Sequence, residues 1–317
     1  MAICFVAAKT IYKITAGIRN SIHVKHDSNY PVKATDNTAW WLVLPATMLL
    51  LVVGFIPLMT VVNYSFHDIF TLPYKHWVGA EWYREIIQSE RFRNSLGRSL
   101  LYSTVVLAIE IPLGVCIALA MPRRGPLVSV CLVILAFPLL VPWNIISMMW
   151  LSMVRPETGV LMQLFESLQI DFNWKLNPLH TWILIVLMDV WHWTSLVAIL
   201  GYSSLSTIPA PYYQAASIDG ASRLQVLRYI QLPKMQRILI MCALLRFMDS
   251  FMIYIEPFLI NAGGPQNATM FLAMDLGEEI AAFNYGPSAA RSVIYFLFVL
   301  TVAWLFKASL SNRQAAS

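Results

Sequence analysis

Long apolar runs separated by short polar breaks dominate this chain. Six stretches, 39–63, 98–120, 127–151, 181–203, 238–260 and 288–310, are almost continuously Leu, Val, Ile, Ala, Met and Trp. A helix rising about 1.5 Å per residue needs about 20 such residues to cross a hydrocarbon core about 30 Å thick. The pattern therefore predicts an all-α membrane protein with about six transmembrane helices. One break differs from the rest. PYYQAASIDGASRLQVLRYIQLPKM, residues 211–235, is too polar to cross a bilayer and too patterned for an idle loop. Pro209 and Pro211 suit the entry of a short helix over 212–219, and Gly220 supplies the permissive backbone that ends it. Ser222 and Gln225 have the spacing of a capping box opening a second helix, with Pro233 as its expected stop. Ala215, Ala216 and Ala221 leave little side chain, so another surface can come close. The stretch reads as a docking helix for a cytosolic partner, with an amphipathic helix lying on the membrane as the alternative. No internal repeat or low-complexity segment stands out.

Composition strengthens the membrane reading. The 317 residues are 58% hydrophobic and only 12% charged, about half the charge density of a soluble domain, with a mean hydropathy of +0.62. The net charge of +5 finds its place in topology rather than in nucleic-acid binding. With the N-terminus inside, the segments 1–38, 121–126, 204–237 and 303–317 hold 13 of the 22 Lys and Arg, against 6 in the outer loops. This bias puts both termini and the 204–237 loop in the cytoplasm. Cys4, Cys116, Cys131 and Cys242 lack metal-ligand spacing, so neither a metal site nor a disulfide is expected. The first twenty residues have no clear apolar core or cleavage site for a removable signal peptide.

Charges inside the apolar runs are the candidate chemistry, because they are costly there. At about 100° per residue Arg246, Asp249 and Glu256 share one stripe of the fifth run, and Arg246 can pair with Asp249 three residues on. They either neutralise one another or face an aqueous pathway. Glu110 is alone on its run and needs a partner helix, water or a proton. Asp189 and His192 are spaced to hydrogen-bond each other, while Trp191 and Trp193 offer faces for stacking on a sugar ring. There is no phosphate-binding Gly-x-x-x-x-Gly-Lys loop, His-Glu-x-x-His or Gly-x-Ser-x-Gly, so no catalytic site is expected. The Asn-x-Ser/Thr triplets at Asn63 and Asn267 read as chance.

The 211–235 stretch carries a resemblance. QAASIDGASRLQVLRYIQLP resembles the Glu-Ala-Ala (EAA) loop of permease subunits of ATP-binding-cassette (ABC) importers, and Ile218-Asp-Gly-Ala221 resembles its carbohydrate-uptake version. Downstream, Asn261-Ala-Gly-Gly-Pro265 followed by Asn267-Ala-Thr269 is similar to that subfamily's Gly263-Gly264-Pro265 segment. Trp191 and Trp193 are also similar to the aromatic approach to the loop in sugar permeases of the maltose and glycerol-phosphate type. The resemblance covers about residues 39–310 and implies a type I ABC importer permease fold. It implies a cytoplasmic segment 1–38, a permease domain 39–310 with its coupling loop at about 204–237, and a cytoplasmic tail 311–317. Gln214, Ala215, Ala216, Asp219, Gly220 and Ala221 would form the coupling helix that fits a cleft on the ATPase. Gln214 departs from the family's carboxylate, which removes a salt bridge at that position but not the coupling role. The implied partners are a second permease subunit, two cytosolic ATPase subunits holding ATP and Mg, an extracytoplasmic solute-binding protein and membrane lipid. The implied location is the bacterial inner membrane, and this chain itself would bind no cofactor. Rival readings are an ABC permease for a polyamine or phosphorylated polyol, a gradient-driven transporter using Glu110, Asp249 and Glu256, and a non-transporting membrane scaffold.

Overall fold

The computed structural model describes residues 38–71, 74–123 and 125–314. The N-terminal segment expected in the cytoplasm, apart from Thr38, lies outside the described residues, as do the last three residues of the tail. The chain divides into two units, Met1–Pro57 and Leu58–Ser317. Helix α1 (Thr38–Tyr64) crosses that division at Pro57.

In the second unit, a short antiparallel ribbon, β1 (His67–Thr71) and β2 (Tyr74–Trp77), pairs His67 with Trp77 and Ile69 with Lys75. It leads into the short α2 (Glu81–Gln88). Helix α3 (Glu90–Ala120) starts where the Ser89 hydroxyl accepts from the Phe92 N–H, satisfying one of the donors a helix start leaves free. The chain continues through α4 (Pro126–Leu140), α5 (Trp143–Met153), α6 (Val160–Ser167) and α7 (Pro178–Ser206), the last capped by Asn177. Next come α8 (Ala210–Ile218), α9 (Arg223–Val226), α10 (Leu232–Phe251), α11 (Ile255–Asn261), α12 (Leu272–Ala281) and α13 (Tyr285–Gln314). The expected all-α architecture is present. Five helical stretches among the described residues are long and apolar enough to cross a membrane, and six if the bent pair α4–α5 is one span.

Helices α3 and α7 make the most extensive pairing, and α10 packs on both. Glycine permits the approach: a Cβ on Gly114 would lie 2.6 Å from the Val197 side chain, far inside van der Waals contact. Around this crossing, Tyr102, Val106, Leu184, Ile185, Met188 and Phe271 form the buried apolar core.

Prolines explain two departures from the expected helices, and a third is a proline that the helix accommodates. The run 127–151 is not one straight helix, since α4 and α5 meet at 94°. Val141 precedes Pro142, and its extended backbone (φ −78°, ψ 123°) is what the proline ring imposes on its predecessor. The run 238–260 is likewise interrupted at 252–254. Pro257 would clash with the carbonyl of Ile253 in a continuous helix but is tolerated in the first turn of α11. Pro233, by contrast, does not stop the second short helix. A π-helical turn, Leu227–Gln231, widens the backbone just before it, and α9 passes through that turn into α10.

Candidate functional site

Arg246, on α10, is 1% exposed and sits where α3, α7 and α10 meet. Its Nε donates to Glu110 at 2.8 Å, while Nη2 donates to Glu110 at 3.1 Å and to Asp189 at 2.7 Å. The remaining Nη1 pairs with Asp249. The guanidinium also lies over the Trp193 ring, 4.5 Å from its centroid, where the ring's negative face attracts a cation. Three helices are thereby tied to one side chain. Lysine has no planar fork and could not make these contacts together.

The hub settles several expectations. Arg246 and Asp249 pair as predicted, and the partner that Glu110 needed is Arg246. Asp189 is bonded to Arg246 rather than to His192, because the guanidinium reaches it from α10. His192 instead meets the Trp193 ring edge-on at 4.8 Å. Trp191 turns away to Trp150, 6.3 Å between centroids, as two residues along a helix point to different sides. Glu256 is not on a continuous stripe with Arg246, since the break at 252–254 separates their helices.

That break opens a cavity of about 260 Å³ lined by Trp143, Asp189, Asp249, Tyr254 and Glu256, among others. Glu256 is 5% exposed and has no ion-pair partner among the described residues. Asp189, Asp249 and Glu256 thus converge on one space through bends rather than helical periodicity. Glu110, Trp191 and Trp193 are not among its lining residues.

The 211–235 stretch forms the first predicted short helix, and the second starts at its predicted cap but runs on past Pro233 into α10. The Ser222–Gln225 capping box is complete, with the Ser222 N–H donating to Gln225 at 2.6 Å and the Gln225 N–H to Ser222 at 3.4 Å. Gly220 has φ +67°, the left-handed conformation its position requires. Gln214, Ala215, Asp219 and Gly220 are exposed, and Ile218 beside them is 87% exposed. Ala216 differs: it is buried against its own chain and accepts the Ala221 N–H at 2.9 Å. The outward face is therefore narrower than the sequence suggested, while Ala216 and the half-buried Ala221 pack the turn itself.

The Gly-Gly-Pro segment is a tight structural turn. Gly263 and Gly264 have φ of +104° and +76°, and the Thr269 N–H closes the loop onto the Gly263 carbonyl at 2.8 Å. Trp182 donates to the Ala268 carbonyl at 2.8 Å and Arg98 to that of Met270 at 2.9 Å, fixing the turn against α7 and α3. The sequence reading missed these two anchors. It also missed an ion network in which Asp275 on α12 pairs with Arg91 and Arg291. Only the fold brings such distant positions together.

Helices long and apolar enough to cross a membrane, with an exposed short helix between two of them, are the arrangement expected of an ABC importer permease. The chain belongs to the family of binding-protein-dependent transport system inner membrane components, whose model matches residues 110–312. It is 29% identical over 262 residues to the trehalose/maltose transport system permease protein MalF of Thermococcus litoralis, covering 82% of this chain and 89% of that protein. It is 27% identical over 279 residues to the trehalose transport system permease protein SugA of Mycobacterium tuberculosis, covering 86% and 88%. The diacetylchitobiose uptake system permease protein DasB of Streptomyces coelicolor is 26% identical over 230 residues, covering 71% and 70%. The fold matches a chain in the crystal structure of a bacterial ABC transporter involved in the import of the acidic polysaccharide alginate. That match has a TM-score of 0.76 at 17% identity and covers 87% of this chain and 95% of that one. The chain is a membrane protein and an ABC importer permease.

Proposed function

We propose that this permease moves a carbohydrate or polyol across a bacterial inner membrane, driven by ATP hydrolysis on separate subunits. One observation carries the coupling part of this reading. The exposed α8 turn leads into a helical path from Arg223 through the π-turn to Phe251, and Arg246 lies near its far end. At about 1.5 Å per residue that path is roughly 40 Å long. A displacement of α8 by an ATPase would be transmitted along it to the hub and the cavity beside it. Gln214, Ala215, Asp219 and Gly220 would meet the ATPase. A second permease subunit would complete the pathway, two ATPase subunits would hold ATP and Mg, and an extracytoplasmic binding protein would deliver solute. The carbohydrate class is supported by the substrates named for the MalF, SugA and DasB relatives.

A cationic solute such as a polyamine is the second reading. It is favoured by Glu256, which lines the cavity with no ion-pair partner among the described residues, whereas Asp189 and Asp249 are paired with Arg246. The deciding experiment reconstitutes the complete transporter in liposomes and measures ATP-dependent uptake of labelled disaccharide, polyol and polyamine. Uptake of a sugar or polyol supports the first reading; uptake of polyamine alone replaces it. Uptake by the isolated chain without ATP overturns the coupling.

A further inference from the structure

A second cavity, of about 420 Å³, lies at the root of α8, between the end of α3, the end of α7 and the π-turn. Its lining contains Arg123 and no carboxylate. Arg123 is held over the Tyr213 ring, 4.5 Å from its centroid, and has no ion-pair partner among the described residues. Gln231 also lines the cavity, is 7% exposed, and its side chain makes no hydrogen bond among the described residues. Its amide is not among the buried unpartnered polar atoms, so it is reachable from the cavity and free to bond an occupant. The π-turn brings it there, and such turns often mark functional sites.

Tyr202, Ser206, Thr207 and Tyr213 put four hydroxyls in the wall, three of them with their protons engaged. Tyr202 donates to the Pro122 carbonyl at 3.2 Å, Ser206 to the Tyr202 carbonyl at 2.9 Å and Thr207 to the Ser204 carbonyl at 2.7 Å. With their protons engaged, these oxygens offer only lone pairs to the cavity, and lone pairs receive hydroxyl donors. One cation with planar donors, one free amide, the Tyr213 hydroxyl and three acceptor oxygens complement an anionic group attached to a polyhydroxylated body. The volume lies within the range of small-molecule sites. We propose that this cavity binds a phosphorylated polyol or sugar, distinct from the solute in the pathway, and that its occupant fastens α8 to the bundle. A free sugar phosphate and a glycerol-type lipid headgroup share this chemistry.

Glucose 6-phosphate supplies the probe, titrated by calorimetry against the full-length permease in neutral detergent, alone and assembled with its partner subunits. A parallel titration follows phosphatidylglycerol retention in phosphatidylcholine nanodiscs. Saturable glucose 6-phosphate binding, weakened at least about tenfold by both Arg123→Gln and Gln231→Leu but not by Arg228→Gln in a separate groove, supports a soluble occupant. The same variant pattern for phosphatidylglycerol alone supports a headgroup. Thermal melts of the unliganded variants separate lost binding from lost folding, and Gln231→Glu, of nearly equal volume, should repel the phosphate without emptying the site. No saturable binding in either medium, or equal binding by all variants, overturns the proposal. Binding abolished by assembly with the ATPase overturns it for the working transporter.

Discussion

Arg246 faces three carboxylates, so its loss and theirs have unequal consequences. Arg246→Met leaves Glu110 and Asp189 buried beside each other without a cation. Breaking one partner of a buried ion pair costs about 3–5 kcal/mol, whereas replacing the whole group with apolar residues of similar volume is often neutral. Arg246→Met should therefore sharply lower the melting temperature of the purified permease. The triple change Arg246→Met, Glu110→Met, Asp189→Leu should recover much of it. A single variant as stable as wild type would remove the hub from its structural role. Glu256 stands outside that hub while lining the same cavity as Asp189 and Asp249. Glu256→Gln should leave assembly intact and reduce transport or change solute choice in proteoliposomes; wild-type rates and selectivity would sink the pathway role.

Two turns set the behaviour of whole elements. In the 211–235 stretch, the exposed Ala215 and the buried Ala216 separate docking from folding. Ala215→Trp should prevent ATPase association, read by co-purification, while the permease melts normally. Ala216→Trp should destabilise the permease itself by about 1–3 kcal/mol through overpacking. Gln214→Glu, which restores the carboxylate common at that position in the family, should be tolerated in both assays. Normal assembly and transport by Ala215→Trp would mean that α8 is not the docking element. At the other turn, a Cβ on Gly264 would meet the Thr269 hydroxyl at 2.8 Å in a backbone with φ +76°. Gly264→Ala should cost about 1–3 kcal/mol from its positive-φ, extended-ψ backbone (φ +76°, ψ 178°), which is nearly restricted to glycine, measurable by thermal melting. The Trp182 and Arg98 anchors would loosen with it.

For the whole molecule, orientation in the bilayer decides which end meets ATP. The Lys and Arg bias predicts that α8 faces the cytoplasm and α12 the outside. In a background with the native cysteines replaced by serine, Ala282→Cys should react with an impermeant thiol reagent added to intact cells. Gln214→Cys should react only after the membrane is opened. The reverse pattern would invert the topology and remove the coupling argument.

The sequence by itself determined the class. Apolar runs of spanning length, few charges and a patterned polar loop are local properties, and local properties survive without knowledge of the fold. The first short helix and the start of the second were legible for the same reason: Gly220 and the Ser222–Gln225 box act within a few residues of themselves. The π-turn before Pro233 was not, because it redistributes backbone hydrogen bonds to let a proline into a helical path. The sequence also marked Glu110, Asp189, Arg246, Asp249 and Glu256 as costly in lipid, and it found the Arg246–Asp249 pair from spacing alone. Only the tertiary structure decided that Arg246 serves Glu110 and Asp189 on two other helices, 136 and 57 positions away. Only it placed Glu256 beside Asp189, because the backbone leaves the helix at 252–254 and periodicity cannot be carried through a break. Helical spacing relates residues within one continuous element; a site assembled from three packed helices depends on how their surfaces fit.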